Sequence, residues 1–136
     1  MELKATRASA IENLEDFVEN NLGEYSKLRN FDFGPNKRSN TSCLSPYITH
    51  GVINEKEVIR KSLDKFSFSK NEKFIQEVLW RTYWKGWMEL RSGVWDDYLI
   101  DLKNIKEEFK DNKDYLNAID GNTKIECFNE WVNELK

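Results

Sequence analysis

The sequence predicts an all-α fold, and three observations lead there. Apolar residues return every three or four positions through most of the chain, which is the spacing of one buried helix face. Helix-start signals recur: Ser9 with Glu12, Asn54 with Glu57 and Thr123 with Glu126 all have capping-box spacing. Phe66-Ser67-Phe68-Ser69 alternates like a strand but is too short to be one.

The first helix is expected over Thr6 to Leu22, with Ile11, Leu14, Val18 and Leu22 as its apolar stripe. Thr6 or Ser9 caps its start, and Gly23 is placed to end it. Glu24 to Asn40 reads as a loop with a turn at Gly34-Pro35-Asn36, followed by the small polar run Ser39, Asn40, Thr41 and Ser42. Ser45 before Pro46 reads as the cap and first residue of a short helix ending near Gly51. Asn54 caps the next helix, where Val58, Leu63 and Phe66 give a partial apolar face. A long helix is expected from about Lys70 to Arg91, closed by Ser92-Gly93. Beyond it, Trp95, Leu99, Leu102 and Ile105 share a stripe, and Asp111 to Lys113 interrupts it. Tyr115, Leu116 and Ile119 resume it, Asp120-Gly121-Asn122 turns, and a last helix aligns Phe128, Trp131, Val132 and Leu135.

One hundred and thirty-six residues suit one domain, and 39% hydrophobic content is enough for a core rather than a disordered chain. No apolar run is long enough to span a bilayer, and the N-terminus lacks the apolar segment of a secretory signal. Cys43 and Cys127 are far apart and His50 is single, so neither a disulfide framework nor a structural metal is expected, and the compartment expected is the cytoplasm. The net charge of −3 hides an asymmetry: residues 25–91 hold 13 basic and seven acidic side chains, whereas both flanks are acidic. An anionic partner would be steered to the basic middle, although charge blocks are often only solvated faces.

That middle contains Phe74 to Trp87, a run without proline. At about 100° per residue, Glu77, Trp80, Arg81, Trp84 and Met88 fall on one face. Ile75, Leu79, Tyr83, Gly86 and Leu90 fall near the other and read as a core stripe. The first face is unusual, because indoles are costly to leave in water. It meets another segment, a flat ligand or a nucleobase. The plain alternative is a Glu77–Arg81 i,i+4 ion pair of ~0.3–0.5 kcal/mol with two tryptophans packed on a neighbouring helix.

Three stretches together resemble the helical FAD-binding domain of the DNA photolyase/cryptochrome family. They are Thr41-Ser42-Cys43-Leu44-Ser45-Pro46-Tyr47, Gln76-Glu77-Val78-Leu79-Trp80-Arg81-Thr82-Tyr83, and Gly121-Asn122-Thr123 with the helix after it. The resemblance covers essentially the whole chain. It implies FAD as cofactor and damaged DNA, carrying a pyrimidine dimer, as partner. Thr41, Ser42, Leu44 and Ser45 would then wrap the FAD pyrophosphate, Tyr25 touch FAD phosphate, and Arg81 sit near FAD. Arg29 would sit near DNA phosphate, and Glu77 and Trp80 would be the catalytic pair at the lesion, with Trp80 also contacting DNA. The implied reaction is light-driven electron transfer from reduced flavin to the dimer. Lys124 departs from the family's usual Gly and Asn129 from its frequent Asp.

The final helix carries no stop signal. Together with the resemblance, this implies a partial FAD-binding domain, residues 1–136, similar to the stand-alone type without the α/β antenna domain and incomplete at its C-terminus. Self-association through Trp131 and Leu135 is a further expectation. Two other functional readings stand beside repair: a cryptochrome-like flavin light sensor without repair, and a helical fragment without independent activity. Repair requires the hydroxyl stretch at Thr41 and the indole face of the long helix to border a single cavity.

Overall fold

The computed structural model describes residues 4–34 and 37–136. Pro35 and Asn36 of the predicted turn lie outside the described residues, as do the first three positions of the N-terminus. The fold is all-α, with no strand among the described residues. Two compact units divide it, one running to Gly86 and the other spanning Trp87–Lys136.

In the first unit, helix α1 (Arg7–Asn20) opens on Thr6, whose Oγ1 accepts from the Ser9 amide. It ends earlier than expected, in a 3-10 turn (Leu22–Glu24) and a one-turn helix α2 (Tyr25–Leu28). The loop predicted from Glu24 is thus helical at its start. Burial accounts for the difference, because Tyr25 is drawn into the core against Phe17 (centroids 5.9 Å apart) and Phe74 (5.3 Å). Helix α3 (Ser45–Thr49) is capped by Leu44, so Ser45 is its first residue rather than its cap.

Helix α4 (Glu55–Lys65) carries the predicted capping box: Asn54 Oδ1 accepts from the Glu57 amide and Glu57 Oε2 accepts from the Asn54 amide, both at 3.0 Å. The other Glu57 oxygen takes a hydrogen bond from Arg7, which also donates to Val52 O at 2.9 Å and so ties α1 to α4. The Arg7 hydrogen bond, and next the Asn54 amide, hold the Glu57 carboxyl below the usual carboxylate value. Leu14 on α1 and Val58 on α4 are fully buried at the centre, each contributing about 1.5–3 kcal/mol by leaving water.

Helix α5 (Phe68–Glu89) is the long helix. Its buried residues are Asn71, Phe74, Ile75 and Val78. The core stripe predicted through Leu79, Tyr83 and Leu90 is corrected, since all three are exposed. The buried face is rotated toward Phe74 and Val78, because Phe74 joins the Phe17–Tyr25 cluster. Asn71 sits in the core and donates through Nδ2 to Ser62 O (2.7 Å) and Phe66 O (3.2 Å), closing the α4–α5 corner.

The second unit begins on the last residues of α5 and continues through α6 (Gly93–Glu108), α7 (Lys113–Ile119) and α8 (Glu126–Leu135). Gly93 starts α6 instead of only closing α5. Helix α7 is capped by Asn112, whose side chain accepts from the Asp114 and Tyr115 amides. The capping box expected at Thr123 does not form. Thr123 is held instead by Asn129: Oδ1 accepts from the Thr123 amide (2.8 Å) and Oγ1 (2.6 Å), while Nδ2 donates to Thr123 O (2.8 Å). An aspartate there would lack that donor. Gly121 has φ +72° and lies so close to Val132 that a Cβ would meet its Cγ1 at 3.1 Å, so the turn demands glycine. Helices α6, α7 and α8 bury none of their residues fully.

The α4–α5 corner yields a stability test. Asn71→Ala removes the side-chain donor shared by Ser62 O, which keeps the Phe66 amide, and the part-buried Phe66 O, and is expected to cost about 1–3 kcal/mol. The midpoint of urea unfolding, followed by far-UV circular dichroism, measures it.

Candidate functional site

The predicted site residues gather around α2, α3 and the middle of α5, all in the first unit. Tyr25 is buried at the start of α2. One turn later, Arg29 Nη1 donates to Glu77 Oε1 on α5 at 2.5 Å. Glu77 is thus tied to α2, and the charge pair spans elements instead of running along one helix to Arg81. Both side chains are partly solvated, so the pair is worth little in stability and serves to fix the orientation of the carboxylate.

One turn along α5, Arg81 reaches α3. Its Nη1 donates to Ser45 Oγ at 3.0 Å and its Nη2 donates to Thr49 Oγ1. The planar guanidinium suits two acceptors held at fixed spacing. Ser45 and Thr49 stand four apart on a helix and therefore share a face. Thr49 escaped the sequence reading, although its i+4 relation to Ser45 was visible in the chain. Arg29–Glu77 and Arg81–Ser45/Thr49 form one polar seam along α5, with two helical elements docked on it.

Trp80 is 54% exposed next to this seam. Its ring lies 6.1 Å from Trp84, and Trp84 meets Tyr83 edge-on at 5.4 Å. Helix α5 therefore presents aromatic surface to solvent on this side. Thr41 and Ser42 are half-buried, and Leu44 is buried in the core. Thr41 Oγ1 is 3.6 Å from Cys43 Sγ, and Cys43 holds a left-handed φ of 50°, which bends the chain sharply between the hydroxyls and α3. Asn40, named in the small polar run, anchors this stretch by donating to Leu28 O (2.9 Å) and Phe31 O (2.8 Å).

Arg81 links the indole-bearing helix to Ser45 at the end of the hydroxyl stretch, but neither described groove joins the two features, so the single cavity that repair requires is not among them. An open groove of about 780 Å³ is lined by residues such as Glu55, Ile59, Arg60, Leu63 and Leu79. A second, of about 700 Å³, lies along Glu15, Glu19, Lys61 and Lys65. Neither includes a predicted site residue. Among the described residues no cluster of His, Cys, Asp and Glu could hold a metal, and no helix is long and apolar enough to cross a membrane.

No protein-family profile, curated protein or solved structure matches this chain. The assignment of function therefore rests on the residues and their arrangement.

Tyr25 reports on this arrangement through its titration. Burial, and secondly the negative charge of Glu77, push its phenol above the ordinary value of 10.0, with Arg29 opposing. The neutral form is favoured in the folded state. Its stabilising contribution is complete below the unfolded value and is lost as pH rises through the higher folded value. Tyr25→Phe is expected to lose less stability than the parent above pH 10.0. Thermal melts across the alkaline range measure the difference.

Proposed function

We propose that this chain is a photolyase-like flavin- and DNA-binding domain that repairs pyrimidine dimers. The observation that carries the reading is the grip of Arg81 on Ser45 and Thr49 beside an exposed Trp80. It sets hydroxyls, a cation and an indole on one side of the first unit. Thr41, Ser42 and Ser45 offer hydroxyls to an anion and Arg81 offers a guanidinium, a donor set whose chemistry fits the pyrophosphate of FAD. Leu44, with its side chain in the core, would contribute through its backbone, and Tyr25, though largely buried, would touch an FAD phosphate.

Reduced flavin, when bound, supplies under light the electron that splits the dimer. The chain's own residues bind and orient. Trp80 stacks on the flipped lesion, which leaves the duplex at less cost than a sound base. Glu77 hydrogen-bonds the pyrimidine, and Arg29 fixes its carboxylate from the opposite element. Arg29 also brings positive charge to the DNA backbone.

A second reading has one observation behind it. Helices α6 and α8 leave Trp95, Ile105, Trp131 and Leu135 exposed, which favours a fragment that gains activity only after self-association. Sedimentation velocity over a range of concentrations separates the two, since a monomer that binds flavin and repairs DNA excludes the second.

The deciding experiment is flavin absorbance of the purified or reconstituted chain, followed by loss of thymine dimers under blue light. Flavin with dimer loss is expected. Flavin without dimer loss makes the chain a cryptochrome-like sensor, and no flavin ends the reading. Within the active protein, Trp80→Ala is expected to weaken lesion binding by roughly 5- to 150-fold, the range for one lost base stack. Glu77→Ala is expected to lower repair yield more than binding. Loss of flavin in the Trp80 variant contradicts the stacking role.

A further inference from the structure

Among the described residues, Arg81 bonds to no carboxylate. Glu77, one turn back on α5, is taken by Arg29. The two bonds of Arg81 go to neutral hydroxyls, Ser45 Oγ and Thr49 Oγ1. The other partners of each hydroxyl fix where its proton goes. Thr49 Oγ1 donates to Ser45 O, one turn back on α3, at 2.7 Å. Its single proton is committed there, so toward Arg81 it acts only as an acceptor. Ser45 Oγ also accepts from Arg81, at 3.0 Å, but donates to no group among the described residues. Its proton is therefore free, on an exposed side chain. A guanidinium has more N–H donors than these two bonds use, so Arg81 keeps donors beside that free proton.

We infer that Thr49 is a positioning residue for an oxyanion site formed by Arg81 and Ser45. An arginine side chain has rotamer freedom to lose, and the Thr49 acceptor holds one arm of its rigid fork. The other arm occupies a lone pair of Ser45 and leaves the hydroxyl proton to a ligand. A hydroxyl that accepts from a cation is polarised into a stronger donor. Donors around an uncompensated charge select a ligand that brings acceptors and negative charge. The inference rests on the flavin half of the proposed function, where that ligand is a phosphate of FAD. It adds a residue that acts through Arg81 without touching the ligand.

Titration calorimetry of the full chain with FAD, and separately with inorganic pyrophosphate, tests it. Thr49→Val keeps the branched shape and removes the acceptor. It is expected to weaken both ligands about fivefold, whereas Thr49→Ser retains parental affinity. With Arg81→Ala in place, Thr49→Val is expected to cost nothing further, because no guanidinium is left to hold. Where Arg81→Ala binds too weakly to measure, the contrast between valine and serine decides. Thermal melts check folding, and Thr49→Ala serves if the valine variant unfolds. Equal losses with and without Arg81, or a serine variant as weak as the valine one, overturn the inference. A Thr49→Val chain that binds FAD like the parent also overturns it and leaves the flavin reading standing. The expected pattern with pyrophosphate in a chain that takes no FAD supports the oxyanion site and ends the flavin reading. A parent that binds neither ligand overturns both.

Discussion

The cluster of Phe17, Tyr25 and Phe74 is the constraint on which the first unit depends. Three rings from α1, α2 and α5 meet with centroids 5.3–5.9 Å apart. Aromatic contacts of this geometry add about 0.5–1.5 kcal/mol each beyond the area they bury. Their larger effect is positional. With Tyr25 and Phe74 fixed, Arg29 is one turn beyond the first and Glu77 one turn beyond the second, and the ion pair follows. The polar seam is thus a consequence of apolar packing one layer below it.

The seam also explains how a partly solvated set of charges keeps its geometry. Each individual bond is exposed and weak. Each end, however, is fixed to a separately anchored element: α2 by Tyr25, α3 by Leu44 and Tyr47 in the core. Cross-element bonds to Ser45 and Thr49 then cost little ordering entropy, because the hydroxyls are already in place. Such preorganisation is what a site for an anionic ligand requires.

Much of the helical layout was legible in the chain. Asn54 with Glu57 announced the start of α4, and the turn at Gly121 was marked by its flanking residues. The illegible parts share a cause, which is competition from tertiary contacts. Tyr25 made a helix where local signals favoured a loop. Thr123 had the right spacing for a capping box, but Asn129 offered three hydrogen bonds instead of two. The face of α5 was misjudged because Leu79, Tyr83 and Leu90 look as apolar as Phe74 and Val78. Periodicity identifies a stripe but does not say which stripe finds a partner. For the candidate site, residue types and their approximate grouping were readable, whereas Thr49 and the change of Glu77's partner needed the fold.

The distribution of indoles has a practical meaning for spectroscopy. Trp80, Trp84, Trp95 and Trp131 are exposed and Trp87 is half-buried, while the buried core around Leu14 and Val58 contains none. Emission from the native chain should therefore already be shifted toward the red, and melting of the core should change it little. Quenching by a bound flavin or base would, against that quiet background, stand out.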